Sequence, residues 1–221
     1  MWLAGAGLSL VGGTEVSRKR ILFEKRGYSC FVRHVELPQL FGRIARRAGF
    51  SLELTEGFSP HAKIVMGPAL PVGVPSLGEL AELWPLEAVT EREFLDRFNA
   101  AAPTGFRFLA CRDVDGRVLN KVIDAASYWV CPRNRPVWEA VEPAARDCYG
   151  DGLLNLSRDE TGLELTLSSP SALGIGMLVR ALTERQEIAG WPEICIARLA
   201  LGTWNGEAVV PLLTPEGGER A

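Results

Sequence analysis

The sequence has few of the side chains that carry chemistry near neutral pH, since only two of its 221 residues are histidine. Five cysteines are scattered along the chain without any CxxC or CxxxCxxC spacing, so a zinc ribbon or a chain-borne iron–sulfur cluster is not expected. They are Cys30, Cys111, Cys131, Cys148 and Cys195. P-loop, GxSxG and complete GxGxxG motifs are also missing, which argues against a nucleotide-hydrolysing, α/β-hydrolase or Rossmann enzyme.

Long apolar runs are missing as well, and no segment is long enough to span a bilayer. The apolar, glycine-rich stretch at 2–13 is followed by the basic residues at 18–20, which is the reverse of a secretory signal. We therefore expect a cytoplasmic protein with no membrane partner. A disordered leader is predicted over 1–17 and a disordered tail over 214–221.

Charge of one sign is concentrated near the N-terminus, although the net charge is only −3. Residues 17–63 contain 10 Lys or Arg against 4 Asp or Glu, whereas residues 64–221 contain 14 against 22. The basic segment also holds both histidines. Such asymmetry favours an anionic partner, with nucleic acid or a phosphorylated cofactor the first choices. A solvated basic face is the alternative interpretation.

Hydrophobic periodicity predicts an α+β fold of two tandem ferredoxin-like units, each βαββαβ, with antiparallel sheets and helices on one face. The first unit covers 18–113 and the second 121–203. Strands are predicted at 20–24, 29–32, 50–55, 64–66, 78–84, 106–111, 123–131, 153–156, 163–167 and 194–201. Helices are predicted at 36–48, 90–101, 136–149 and 170–187, the third of them kinked or split at Pro143.

Both histidines lie beside features that suit an anion or a metal. His34 directly precedes a predicted helix, whose free amides and dipole favour an anion, and His61 lies in a Gly/Ser/Pro loop. We expect the two segments to meet at one edge of the first unit. The resulting pocket would contain His34, His61, Glu36, Glu56, Lys63 and Arg33.

Three uses of this pocket remain open. It could bind phosphate through Arg33 and Lys63. It could hold a divalent metal, zinc or iron, through two histidines and a carboxylate. It could transfer protons through a histidine that Glu36 or Glu56 orients. The structural alternative is that each histidine only satisfies a buried carbonyl or a helix cap.

Other residues of the basic segment suit nucleic acid. Arg46 and Arg47 are candidates for phosphate contact, or else complement the helix dipole. Tyr28, Phe31 and Phe58 lie among the cations, where aromatic rings can stack on bases. We interpret Phe31 and Phe58 as core residues.

Five motifs occur in consecutive order over roughly residues 19–80. They are Phe23-Glu24-Lys25-Arg26-Gly27, His34-Val35-Glu36, Arg46-Arg47-Ala48-Gly49, Glu56-Gly57-Phe58-Ser59-Pro60-His61 and Ala69-Leu70-Pro71-Val72-Gly73. In these motifs the chain resembles the radical-SAM-linked protein family, a bacterial domain of unknown function. Its members are fused to a radical SAM protein or encoded beside one. The resemblance implies a radical SAM protein as partner.

These observations lead to one principal hypothesis and two alternatives. The chain would be an accessory or substrate-binding partner of a radical SAM enzyme, binding an anionic substrate such as RNA and having no cofactor of its own. Alternatively it is a metal- or histidine-dependent hydrolase or transferase centred on His34 and His61, or a structural adaptor without a site. The candidate catalytic residues are His34, His61 and Glu36, and the candidate anion-binding residues are Arg33, Arg46, Arg47, Lys63, Glu56 and Ser59.

Overall fold

The computed structural model describes residues 18–133 and 138–215. The predicted leader and residues 216–221 of the predicted tail lie outside these ranges. The strands are β1 (Arg18–Lys25), β2 (Ile64–Met66), β3 (Ser76–Leu83), β4 (Phe106–Val114), β5 (Ala125–Pro132), β6 (Leu153–Arg158), β7 (Leu163–Ser168), β8 (Ile194–Trp204) and β9 (Val209–Pro211). The α-helices are α1 (Leu37–Arg47), α2 (Glu91–Ala101), α3 (Trp138–Tyr149) and α4 (Gly176–Glu184).

The nine strands of the described ranges form one mixed sheet, in the order β4-β1-β3-β8-β5-β7-β6, with β2 paired to β3 and β9 to β8. The prediction of two tandem ferredoxin-like units with antiparallel sheets is therefore wrong. The finding that overturns it is the parallel pairing of β3 with β8, at Ser76 and Arg198, which joins strands from both halves. Gly78 permits this contact, because a Cβ there would lie 2.9 Å from the carbonyl oxygen of Leu199.

The helices lie on both faces of the sheet, so the prediction that they share one face is wrong. Helices α1 and α2 pack on Ile21 and Phe23 of β1 in a core cluster rich in phenylalanine. Leu22 points to the opposite face, since successive strand residues alternate, and it belongs to the second core cluster, which contains α3 and α4. The apolar pattern predicts which positions are buried but not which layer covers them.

Local elements follow the sequence in most places. Helix α2 begins as its capping box predicts, with the amide of Glu93 donating to Thr90 Oγ1 at 3.2 Å. The predicted strand at 29–32 is instead a 3₁₀ helix, Gly27–Phe31. The predicted strand at 50–55 makes only two isolated bridges, and α3 continues through Pro143. The division into 18–113 and 121–203 stays a prediction. Among the described residues, no helix has both the length and the apolar character of a membrane span.

Candidate functional site

His34 lies in a short 3₁₀ helix, His34–Glu36, that leads directly into α1. Its ring is partly buried and makes no hydrogen bond with any other residue that the structure describes. Burial lowers the pKa of the His34 imidazole; the Glu79 carboxylate opposes this effect, while Arg198 and Lys25 add to it. His34 therefore lies beside a set of buried charges that comes from β1, β3 and β8.

The centre of this set is an ion pair between Arg198 and Glu79, which are 0% and 4% exposed. Arg198 Nη1 donates to both carboxylate oxygens of Glu79 at 3.0 Å. The same guanidinium donates to the carbonyls of Pro68 at 2.8 Å and Ala69 at 2.7 Å, and to Tyr128 Oη at 3.1 Å. Arg198 thus holds the 68–69 segment against the middle of the sheet, and the Glu79 carboxylate compensates the charge of the guanidinium.

Lys25 lies next to this pair but does not share in it. In the sheet, Lys25 is opposite Ser76, and Ser76 is in turn opposite Arg198. Lys25 is only 2% exposed, yet its ammonium makes no hydrogen bond or ion pair within the described chain. Burial lowers the pKa of Lys25, against the attraction of Glu79. With Lys25 protonated, the three charges sum to a positive excess.

Cys30 completes the group. Its Sγ donates to the carbonyl of Lys25 at 3.4 Å, and burial raises the pKa of the thiol in spite of nearby Lys25. Cys30 is therefore a neutral, buried thiol at neutral pH. We refer to Lys25, Cys30, His34, Glu79, Tyr128 and Arg198 as the Lys25 cluster.

Exposed apolar side chains flank His34 in the chain and on a neighbouring loop. Tyr28 is 94% exposed, and Phe31, Val35 and Val72 are also exposed. The two segments are held together where the amide of Gly73 donates to the carbonyl of Cys30 at 2.9 Å. We call Tyr28, Phe31, Val35 and Val72 the aromatic surface.

The interpretation of two phenylalanines as core residues was wrong. Phe31 is 65% exposed, and Phe58 at the tip of the 55–61 loop is fully exposed. Neither belongs to a periodic apolar face of a strand or helix, and this is the pattern that would have indicated burial.

His61 has surroundings of its own. It is exposed, with Nδ1 3.1 Å from Thr55 Oγ1 and 3.2 Å from the carbonyl of Ser59. No described contact joins His61 or its neighbours to His34 or to the Lys25 cluster. The shared pocket expected from the sequence is therefore not formed by any contact within the described residues.

The strand register explains the separation. His61 precedes β2, which begins with Ile64 opposite Leu83 at one end of β3. Lys25 is opposite Ser76 at the other end of the same strand. Seven strand residues correspond to roughly 23 Å.

The remaining predicted site residues are mostly neutralised locally. Arg33 pairs with Glu36 at 2.7 Å, and this hydrogen bond lowers the pKa of Glu36 and raises that of Arg33. Lys63 pairs with Glu53 at 3.0 Å and lies 4.8 Å from the centre of the Trp84 ring. Glu56 and Ser59 are exposed in the same loop as His61.

The unpaired positive charge of residues 17–63 lies at two places, Lys25 and one face of α1. Six of its ten cations have acidic partners, namely Arg18, Lys19, Arg20, Arg26, Arg33 and Lys63. The other four, which form no ion pair within the described ranges, are Lys25, Arg43, Arg46 and Arg47. The three arginines are exposed and occur at i, i+3 and i+4 of α1, so they share one face, which we call the arginine face.

A shallow cleft of about 350 Å³ lies near the other end of β3. Its lining includes Arg18, Glu53 and Trp84, with the Arg18 guanidinium 5.6 Å from the centre of the Trp84 ring. Arg18 and Glu53 already have charged partners in Glu82 and Lys63. The remaining charged residue of its lining, Asp115, is exposed, so the cleft has no buried, unpaired charge of the kind found at Lys25.

A metal site is the one predicted use for which the geometry offers no ligand set. Nowhere in 18–133 or 138–215 do three His, Cys, Asp or Glu side chains group closely enough to hold a metal ion.

Sequence reasoning missed Lys25, Glu79 and Arg198 as functional candidates, although a signal was present. Two of these charges continue an apolar alternation along their strands: Lys25 follows Ile21 and Phe23 at the same parity, and Arg198 follows Ile194 and Ile196. A charge at an inward position of a strand indicates burial.

Comparison with known proteins adds a family but no activity. No curated protein sequence matches the chain. A crystal structure described as that of an unknown protein from Galdieria sulphuraria is similar at 13% identity and a TM-score of 0.28, covering 84% of this chain and 97% of that one. The family model "Uncharacterized protein conserved in bacteria (DUF2344)" matches residues 18–157, which include Lys25, His34 and Glu79. This chain therefore belongs to that bacterial family.

Proposed function

We propose that the protein binds an anionic substrate, RNA in the first instance, through its N-terminal segment and presents it to a radical SAM enzyme. The observation that carries this proposal is the arginine face. Arg43, Arg46 and Arg47 are exposed together, while six other cations of the segment have acidic partners. Unpaired arginines on one helix face are suited to contact successive phosphates.

The exposed aromatic rings favour single-stranded RNA over a duplex. Tyr28, Phe31 and Phe58 are all exposed, and each belongs to the same basic segment. Base stacking on such rings is worth about 1–3 kcal/mol per base and requires unstacked, accessible bases. Cations for the backbone and rings for the bases are the combination that non-duplex RNA recognition uses.

The partner follows from the resemblance of the five motifs to the radical-SAM-linked family. The cysteines of this chain lack iron–sulfur spacing, so the proposal assigns the cluster and the radical chemistry to the partner. No described contact favours the alternative hydrolase or transferase, because His34 and His61 have separate surroundings.

Co-purification tests the proposal. The chain is expressed with the radical SAM partner that the resemblance implies, the complex is isolated, and retained RNA is sequenced. Arg43→Gln/Arg46→Gln/Arg47→Gln should lose the RNA and keep the protein partner. The matched control is Arg107→Gln/Arg146→Gln/Arg180→Gln, which removes the same charge from exposed positions on β4, α3 and α4 and should keep both. Equal RNA retention by the two triple variants, or a complex without the radical SAM protein, would contradict the proposal.

A further inference from the structure

The Lys25 cluster contains donors that lack acceptors. The ammonium of Lys25 and the ring of His34 make no hydrogen bond within the described residues, and Arg198 Nε is buried without a partner. Glu79 accepts from Arg198 through both of its oxygens at 3.0 Å, and no hydrogen bond or ion pair joins it to Lys25 within the described residues. What this group lacks is an acceptor with negative charge.

The unpartnered ammonium of Lys25 is not fully sealed from solvent. Arg198 Nε is completely buried, whereas Lys25 Nζ keeps a small solvent-exposed area. The Lys25 residue as a whole is nevertheless only 2% exposed. An ion pair formed there would be weakly screened, and a buried ammonium without a counter-ion costs several kcal/mol.

The chemistry of the surroundings sets the class of ligand. The lysine ammonium can only donate hydrogen bonds, and a neutral imidazole can donate one. A phosphate or carboxylate supplies the acceptors and the charge together. The aromatic surface, with Tyr28 94% exposed and Phe31 65% exposed, offers contact to an apolar or aromatic body that carries this group.

Within the described ranges Lys25 is buried without a partner, and the unpaired ring of His34 follows four residues after Cys30, whose thiol contacts the Lys25 carbonyl. We infer that Lys25 and His34 form a binding site for a terminal oxyanion, a phosphate or carboxylate at the end of the ligand. The inference rests on the proposed anion-binding function and adds that a terminal oxyanion of the ligand binds at Lys25 and His34. A group at a chain end is required, because Lys25 is too deeply buried for a phosphate inside a continuous RNA strand to reach it without disrupting the surrounding core.

Histidine NMR tests the inference, because the chain has only two histidines and His61→Gln assigns the ring signals of His34. Inorganic phosphate and acetate are titrated separately at constant ionic strength. Both should shift the His34 signals to saturation. Lys25→Met should weaken this response at least about tenfold, the lower end of what a hydrogen bond to a charged group is worth. The control Lys121→Met, which removes an exposed cation, should respond like the wild type.

The source of the oxyanion is decided by two short single-stranded RNAs that differ only in a terminal phosphate. Tighter binding of the phosphorylated RNA, lost in Lys25→Met, identifies an RNA end. Equal binding of both RNAs, with acetate or phosphate still shifting His34, identifies a small acid and also supports the inference. The triple arginine variant should keep the His34 response even where RNA binding fails, so the inference and the proposed function fail separately. Wild-type signals that do not move, or that move equally in Lys25→Met, would overturn the inference.

Discussion

Lys19 and Lys25 lie on the same strand at almost the same depth, 1% and 2% exposed, but only Lys19 has partners. Lys19 Nζ donates to the carbonyl of Val89 at 2.6 Å and pairs with Asp113 at 2.5 Å. Lys25 Nζ has neither kind of contact within the described residues. A buried polar group without a partner opposes folding, so its presence points to a role in binding.

The two lysines should therefore respond oppositely to the same substitution. Lys25→Met removes an uncompensated buried charge and should raise the free energy of unfolding by about 1–3 kcal/mol. Lys19→Met leaves the Val89 carbonyl without its donor, removes the ion pair with Asp113, and should lower the free energy of unfolding by about 1–3 kcal/mol. Urea unfolding followed by circular dichroism measures both. A loss of stability in both variants would show that Lys25 is satisfied in the folded chain.

Acid should destabilise the protein through His34 before it does so through the carboxylates. Burial lowers the pKa of His34 below its ordinary value of 6.5, so the unfolded chain binds more protons as the pH falls through 6.5. Stability is then lost from about pH 6.5 downwards until the folded-state pKa is passed. The slope of unfolding free energy against pH in this window should shrink in His34→Gln and persist in His61→Gln. Identical slopes for His34→Gln and the wild type would contradict the described burial.

Glu79 should be among the least replaceable carboxylates of the chain. Glu79→Gln leaves Arg198 and Lys25 as two buried cations, and removing one partner of a buried pair costs about 3–5 kcal/mol. The exposed loop residue supplies the control, since Glu56→Gln should change stability by less than about 0.5 kcal/mol. Thermal unfolding of the two variants, compared at one pH, measures the difference; similar values for both would count against a buried ion pair.

The junction between β3 and β8 can be tested at a glycine. In Gly78→Ala the new Cβ would lie 2.9 Å from the carbonyl oxygen of Leu199, so the strands must separate, at a cost of about 1–3 kcal/mol. Gly174→Ala meets nothing within 4 Å and should be nearly neutral. Hydrogen exchange of β3 and β8 amides should accelerate in Gly78→Ala alone. Unchanged exchange there would argue against a sheet continuous across both halves.

The elements themselves could be predicted from the sequence, because each has a local cause. The apolar spacing of Phe41, Ile44 and Ala45 specifies α1, and Thr90 with Glu93 specifies the start of α2. The pairing of β3 with β8 could not be predicted in this way. It depends on the close approach that Gly78 permits to residues about 120 positions away, and a hydrophobic pattern carries no information about such partners.

The candidate site was predictable only where its residues stand out locally in the sequence. His34 stood out because histidine is rare in this chain, and Lys25 occurs in the first of the five motifs although it was not among the candidate site residues. Arg198 lies 164 residues after His34 and outside the matched family region, so only the folded sheet brings it to the cluster. The expectation that His61 lies beside His34 assumed a ferredoxin-like unit, whereas the strand register places the two segments toward opposite ends of β3.

The most direct test of the proposed function is the salt dependence of binding to single-stranded RNA. Each phosphate contact contributes about 0.7 to the slope of log affinity against log salt concentration. Arg43→Gln/Arg46→Gln/Arg47→Gln should reduce that slope by about 2 relative to the wild type, whereas Arg107→Gln/Arg146→Gln/Arg180→Gln should leave it unchanged. Equal slopes for the two triple variants, or wild-type binding that does not depend on salt, would contradict the assignment of the RNA to the arginine face.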